Sequence, residues 1–197
     1  MKKLYNKISQ CRISNDKNLK LVGKIGPLTL TGIFPKKINK KVISTPVDIV
    51  FSKKSKLLQL NHNYNENELF GKNYGYRSGL NQQMMGHLKE KSIYLQKKYK
   101  ISKIEQMLDI GSNDGTFLGF FNQKIKKTGV DPTAKKFRKY YQKNIKIIPK
   151  LFTKNSIKIF ENNKFDLITS IAMFYDLRNP LEFLKNIERI LKDDGIL

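Results

Sequence analysis

The chain has 197 residues and a formal net charge of +23, a length that fits one or two domains. Its positive charge comes mostly from lysines that are spread over every segment. This pattern does not favour dedicated nucleic-acid binding, because phosphates and bases are usually bound by clustered arginines. The single cysteine, Cys11, excludes an internal disulfide, and no apolar run reaches membrane-spanning or signal-peptide length. We therefore expect a cytoplasmic protein with no membrane partner.

The N-terminal part, residues 1–70, predicts a small β-rich module. Short apolar runs alternate there with Gly, Pro, Lys and Asn, as strands alternate with turns. The segment 71–100 follows as a connecting helical segment. Its helix is expected over 81–99, because Met84, Leu88, Leu95 and Tyr99 recur at helical spacing.

Residues 101–197 predict a partial Rossmann-like α/β domain, a parallel sheet with helices on both faces. The expected strands are 106–110, 128–130, 145–148 and 165–171, and the expected helices are 116–123, 134–142 and 181–191. Asn179 is the expected N-cap of the last helix, Pro180 its first residue and Gly195 its C-terminal stop. A fifth strand is expected to start at Ile196, so the sheet is expected to be incomplete.

The run from Leu108 to Thr116 is the main candidate for a ligand-binding loop. It joins a predicted strand to a predicted helix, where glycines let the backbone turn tightly and approach a ligand. Asn113 replaces the middle glycine of the dinucleotide fingerprint. Asp109 at the start of the turn would repel a pyrophosphate and suits a ligand that carries an ammonium group.

Two further elements follow at the spacing of a nucleoside-binding site. Asp131 ends a strand about twenty residues after the loop, where a carboxylate accepts hydrogen bonds from ribose hydroxyls. The strand that leads to Ala172 and Met173 should open onto the same crevice. Each element alone has a structural interpretation, such as a tight turn or a helix N-cap, but the three in order favour a cofactor site.

These motifs resemble those of class I S-adenosylmethionine-dependent methyltransferases. The resemblance is carried by 109–116, 129–132 and 181–195. More specifically, these motifs resemble those of the sugar C-methyltransferase family. Residues 74–81, with Met84 and His87, also resemble a segment of that family. The resemblance implies S-adenosyl-L-methionine as the cofactor. The cofactor-binding residues it implies are Asp109, Gly111, Ser112, Asn113, Asp114, Gly115, Asp131, Pro132, Ala172 and Met173.

The resemblance also implies a small-molecule acceptor, a nucleotide-linked keto-deoxysugar. Tyr76 and His87 are then the catalytic candidates, because C-methylation needs a base and a donor to an enolate oxygen. Tyr74 and Arg77 are the acceptor-binding candidates, with Arg77 on a diphosphate. The alternative is that the tyrosines pack against the core, that Arg77 is a surface charge, and that His87 borders an apolar helix stripe.

Members of that family carry an N-terminal zinc module with two C-x-x-C pairs. The matching positions here are 11–14 and 52–55, and only Cys11 remains a cysteine. Because structural zinc needs four thiolate or imidazole ligands, we expect zinc to be lost, with no metal ligand left, while the β-rich fold stays. A weaker site with Cys11, His62 and water is the alternative.

A methyltransferase is thus the first functional hypothesis. The second is a truncated, non-catalytic cofactor-binding fragment or an interaction protein that needs a partner chain to complete the sheet. Nucleic-acid methylation is a third, which the charge permits and no motif supports.

Overall fold

A computed structural model describes residues 4–29, 32, 34–37, 42–71, 73–99, 104–160 and 163–197. The chain divides into two compact units, Met1–Tyr76 with Arg178–Leu181, and Arg77–Leu177 with Glu182–Leu197. In these described ranges, no helix is both long enough and apolar enough to cross a membrane.

The first unit is β-rich. A three-stranded antiparallel sheet has the order β2-β3-β4, and β1 pairs antiparallel with β5. The elements are β1 (Tyr5–Lys7), β2 (Leu19–Thr29), β3 (Ser44–Ser52), β4 (Leu58–Leu60), β5 (His62–Tyr64) and α1 (Glu66–Phe70). The strands and turns predicted for the N-terminal module are therefore present.

The partly buried guanidinium of Arg12 organises the chain where β4 meets β5. It donates to Gln59 Oε1 at 3.0 Å, the carbonyls of Leu60 at 2.8 Å and His62 at 3.0 Å, and Asn63 Oδ1 at 2.7 Å. A planar group with five donors can satisfy several acceptors at fixed angles, which a lysine ammonium cannot do. One side chain thus holds the two short strands together.

The second unit contains a five-stranded, wholly parallel sheet of order β10-β9-β6-β7-β8. Its strands are β6 (Gln106–Ile110), β7 (Lys126–Val130), β8 (Ile145–Ile148), β9 (Phe165–Thr169) and β10 (Leu191–Ile196), and its helices are α2 (Gln82–Lys98), α3 (Thr116–Gly119) and α4 (Pro180–Ile190). Counted within the unit, the order is 3-2-1-4-5, the doubly wound order of a Rossmann-like fold. The predicted fold class is confirmed.

Helices cover both faces of this sheet. Met107 of β6 packs with Leu88 of α2 and Phe117 of α3 in one buried cluster. The next residue, Leu108, packs with Phe183 and the other apolar residues of α4 in a second cluster. This separation follows from the alternation of strand side chains between the two faces.

Three local expectations were wrong. The helix expected over 134–142 is replaced by turns and a short 3₁₀ segment, Arg138–Tyr140, after which Tyr141 has an extended backbone and its hydroxyl binds the loop. The helix expected to reach residue 123 ends at Gly119. Gly195 does not stop α4, because α4 ends at Ile190 and Gly195 lies inside β10, which starts five residues before the expected position at Ile196.

Asp166 fixes the amino ends of three strands. Its carboxylate accepts from the backbone N–H of Glu105 at 3.0 Å and of Gln106 at 2.8 Å, and from Lys192 Nζ at 2.6 Å. Although partial burial opposes ionisation, these donors, with Lys192 the strongest, hold the pKa of Asp166 below its usual value. The carboxylate therefore joins β9 to its neighbours β6 and β10 at the edge opposite the loop that follows β6.

Candidate functional site

The glycine-containing loop leaves the carboxyl end of β6, the central strand. Gly111, Asn113 and Gly115 have left-handed backbone conformations, with φ of 81°, 51° and 77°. The N–H groups of Gly111 and Ser112 both donate to the carbonyl of Val130, at 2.8 and 3.3 Å. The loop therefore turns sharply across the end of β7.

Asp131 directly follows β7 and connects the chain there to the loop after β6. One carboxylate oxygen accepts the N–H of Asn113 at 2.9 Å, and the other accepts the N–H of Thr133 at 2.7 Å and its hydroxyl. The residue is 8% exposed. Its carboxylate is thus held in one orientation at the position where the sequence predicts ribose binding.

Asp109 is buried near the carboxyl end of β6, two residues before Gly111. It accepts a hydrogen bond from Thr169 Oγ1 of β9 at 2.7 Å. Burial raises the pKa of Asp109 to about 7, with the Thr169 hydrogen bond opposing the rise and the charge of Asp131 adding to it. An acid with this pKa is poised to ionise when a cation comes close to it.

Tyr141 is a site residue that sequence reasoning missed. Its hydroxyl donates to the carbonyl of Asn113 at 2.8 Å and lies 2.8 Å from Ser112 Oγ. Burial raises the pKa of Tyr141, so the hydroxyl keeps its proton. A side-chain carbon on Gly115 would lie 2.5 Å from the tyrosine ring. The sequence signal was weak, because Tyr141 lies in the region expected to form a helix.

Asp114 is fully buried and is held by protein donors. One oxygen accepts from Arg77 Nη1 at 3.2 Å and from the N–H of Gly79 at 3.0 Å, and the other accepts the N–H and hydroxyl of Thr116. The Arg77 guanidinium also lies 3.7 Å from the ring centroid of Tyr140. The structure thus brings the predicted acceptor-binding Arg77 together with a predicted cofactor residue, Asp114, in a partly buried ion pair.

The end of β9 lies beside the loop. A side-chain carbon on Gly111 would lie 3.2 Å from Met173 Sδ, and Ala172 is exposed with a left-handed φ of 55°. Pro132 is half-buried directly after Asp131. Strands β6 and β9 flank the point where the strand order reverses, and ligands of doubly wound sheets bind at that point, outside the carboxyl ends.

Three further predicted residues are Tyr74, Tyr76 and His87. Tyr74 and Tyr76 belong to the first unit, where their rings meet edge to face at a centroid distance of 6.5 Å. Tyr74 also packs edge to face on Phe70 at 5.9 Å. His87 is exposed on α2, beside the buried Leu88. The proposed catalytic roles of Tyr76 and His87 stay predictions.

The four positions that match the zinc-module pairs do come together. Cys11 Sγ lies 3.2 Å from Ser55 Oγ, and Ser14 Oγ lies 3.4 Å from Ser52 Oγ, which in turn donates to Asp16 Oδ2 at 3.1 Å. Burial opposes ionisation of the thiol, but hydrogen bonds led by Ser14 lower the pKa of Cys11 to about 6.

One thiol and three hydroxyls do not fit structural zinc, which takes thiolate and imidazole ligands. Across the described ranges, no group of at least three His, Cys, Asp or Glu side chains could hold a metal ion. The loss of zinc stays a prediction, which rests on the chemistry of these four side chains.

A parallel sheet of this order, with a glycine loop after the central strand and a carboxylate after the next, defines a Rossmann-like methyltransferase fold of class I. The sequence pattern of a family described as "Methyltransferase domain" matches residues 74–197, well over half of the chain. The chain belongs to this family. No curated protein sequence matches the chain.

Several solved structures are similar to part of the chain. The plantazolicin methyltransferase BpumL, in complex with a triazolic desmethylPZN analog and SAH, is 19% identical, and the match covers 59% of this chain and 46% of that chain with a TM-score of 0.45. Coclaurine N-methyltransferase, bound to N-methylheliamine and SAH, is 19% identical over 57% of this chain and 33% of that chain, with a TM-score of 0.43. Precorrin-6y C5,15-methyltransferase from Geobacter metallireducens is 13% identical over 58% and 59%, with a TM-score of 0.37. The match thus spans between 33% and 59% of the length of these three proteins.

Proposed function

We propose that the second unit binds S-adenosyl-L-methionine and transfers its methyl group to a small-molecule acceptor. The observation that carries the proposal is the Asp131 carboxylate, which is fixed by the N–H of Asn113 at the carboxyl edge of a doubly wound sheet. Membership of the methyltransferase-domain family supports the same activity.

Four of the predicted cofactor residues then have a physical role. The glycines at positions 111 and 115 allow the left-handed turns that shape the loop and the close packing of Met173 and Tyr141 against it. The carboxylate of Asp131 accepts from a ribose hydroxyl through the lone pair of Oδ2 that the N–H of Asn113 leaves open, and Asp109 supplies negative charge close to the ammonium or sulfonium. The sulfonium, when bound, supplies the reactive methyl group, while the protein binds and orients it.

For the acceptor we propose a nucleotide-linked keto-deoxysugar methylated at carbon, on the strength of the sequence resemblance. Tyr74 and Arg77 remain the proposed acceptor contacts, and Tyr76 and His87 the proposed proton donor and base. Arg77 would then hold a diphosphate with the guanidinium N–H groups that do not bind Asp114.

Calorimetric titration of the purified chain with S-adenosylhomocysteine tests cofactor binding. We expect saturable binding by the wild type and weaker binding by Asp131→Asn. Charge-assisted hydrogen bonds contribute about 1.5–3 kcal/mol, so the loss should be roughly 10- to 150-fold. Asp194→Asn, which removes an exposed charge on β10, is the matched control and should bind as the wild type does.

The acceptor is tested separately, by incubating the chain with S-adenosylmethionine and a nucleotide-linked keto-sugar and measuring product mass. A product whose mass exceeds that of the acceptor by one methylene supports the proposal. If the chain binds S-adenosylhomocysteine but forms no such product, this acceptor is rejected. A folded chain that does not bind S-adenosylhomocysteine would reject the proposed function itself.

A further inference from the structure

The loop after β6 contains one residue with a side chain among its left-handed positions. Asn113 has a φ of 51°, a conformation that asparagine adopts more readily than most residues but at a higher cost than glycine. The two neighbouring left-handed positions, 111 and 115, are glycines. Contacts that hold Asn113 in this conformation offset the extra cost.

Three hydrogen bonds from different parts of the second unit meet on Asn113. Its N–H donates to Asp131 Oδ2 at 2.9 Å, its carbonyl accepts from Tyr141 Oη at 2.8 Å, and its side-chain oxygen accepts the N–H of Ser78 at 2.9 Å. Asn113 is 9% exposed and Tyr141 is 8% exposed, so water competes little for these groups.

We propose that Tyr141 is a positioning residue for the cofactor loop, which holds Asn113 in the left-handed conformation that a glycine would adopt unaided. The proposal rests on the proposed function, because it assigns Tyr141 a role in cofactor affinity through Asn113.

The geometry of the ring strengthens this assignment. The Tyr141 ring lies so close to Gly115 that a side-chain carbon there would be 2.5 Å from it. The loop is thus fixed by the ring at Gly115 and by the hydroxyl at Asn113. When a loop already has its binding conformation before the ligand arrives, binding does not cost the conformational entropy of ordering that loop.

A double-mutant cycle of Tyr141→Phe with Asn113→Gly tests the proposal by titration with S-adenosylhomocysteine. Phenylalanine keeps the ring and removes the hydrogen bond, so we expect an affinity loss of about three- to tenfold. In the Asn113→Gly background the same change should cost at least about twofold less, because glycine needs no support at positive φ, while the contact of the hydroxyl with Ser112 Oγ is lost in both backgrounds. Tyr94→Phe, at a 56% exposed position of α2, is the control and should change nothing.

A second pair of variants leaves Tyr141 intact and keeps the test decisive if Tyr141→Phe does not fold. Asn113→Ala and Asn113→Gly both lose the bond from Ser78, but only glycine relieves the strain. We expect Asn113→Gly to bind S-adenosylhomocysteine about fivefold or more tightly than Asn113→Ala.

The proposal would be overturned if Tyr141→Phe caused the same affinity loss in both backgrounds and the two Asn113 variants bound with equal affinity. The proposed function would still stand in that case. If the wild type binds no S-adenosylhomocysteine, the proposed function fails. The cycle is then measured on urea unfolding without ligand, where additive effects reject the coupling of Tyr141 to Asn113 and non-additive effects support it.

Discussion

Replacing Gly115 with alanine tests the loop geometry without removing any hydrogen-bonding side chain. The left-handed φ of 77° costs a residue with a Cβ about 1–2 kcal/mol. The new carbon would lie 2.5 Å from Cδ1 of Tyr141, and moving a buried ring costs roughly 1–3 kcal/mol more. We therefore expect Gly115→Ala to lower the free energy of unfolding by about 2–5 kcal/mol, a large part of the about 5–15 kcal/mol typical of a domain.

Gly86 provides a matched control for the same chemical change. It is exposed in α2, and a side-chain carbon there would meet no atom within 4 Å. Gly86→Ala should therefore raise the free energy of unfolding by about 0.5–1 kcal/mol, since alanine favours helix. Urea unfolding followed by circular dichroism measures both. If Gly115→Ala unfolds at the wild-type urea concentration, the described packing of the loop on Tyr141 is wrong.

Three further predictions concern the buried Asp109, the partly buried Arg12, and the four positions that match the zinc-module pairs. Because the pKa of Asp109 is about 7 in the folded chain and about 4 when unfolded, its contribution to stability is present below pH 4 and lost as the pH rises to 7. The unfolding free energy of the wild type relative to Asp109→Asn should fall by up to about 1.4 kcal/mol per pH unit between those values, measured by urea unfolding at each pH. Arg12→Lys should lower the free energy of unfolding by roughly 1–3 kcal/mol in the same assay, because one ammonium cannot replace the planar guanidinium. The triple substitution Ser14→Cys, Ser52→Cys and Ser55→Cys should create one zinc site per chain, measured by metal analysis and by chelator-sensitive melting, whereas the wild type should hold none.

Each of these has a result that would contradict it. A pH-independent difference between wild type and Asp109→Asn would mean that the acid ionises normally in the folded chain. Arg189→Lys, an exposed change on α4, is the control for Arg12→Lys, and equal stabilities of the two variants would mean that the Arg12 hydrogen bonds contribute little. Zinc in the purified wild type would overturn the predicted loss of the metal, and a triple variant without zinc would mean that the four positions lack the required geometry.

Local patterns in the sequence were sufficient for much of the second unit. The bounds of β6 and β8 are those expected, and α2 lies within the expected 81–99 with Asn81 as its N-cap, because strand alternation, helical spacing and capping are short-range signals. The apposition of the loop with Asp131 was also expected, because neighbouring parallel strands end at the same edge of a sheet.

What the sequence did not reveal depends on contacts between distant residues. Tyr141 binds a carbonyl 28 residues earlier, and Arg77 binds a carboxylate 37 residues later, and neither pairing leaves a periodic signal. Helix content near the site was also misjudged, because the apolar spacing of 134–142 is helical, whereas this segment forms turns and a 3₁₀ segment and Tyr141 binds the distant loop.

The carboxylate of Asp166 separates the edge that sets strand register from the edge that can vary in evolution. Its three donors come from β10 and from the start of β6, so the registry of the central strands is set at the amino edge. Loops at the opposite edge can then be lengthened, shortened or exchanged without shifting the strands beneath them. Libraries that randomise the segment after β9 should therefore yield folded chains far more often than libraries that randomise Asp166 and its donors, so new acceptor preferences are best sought at the carboxyl edge.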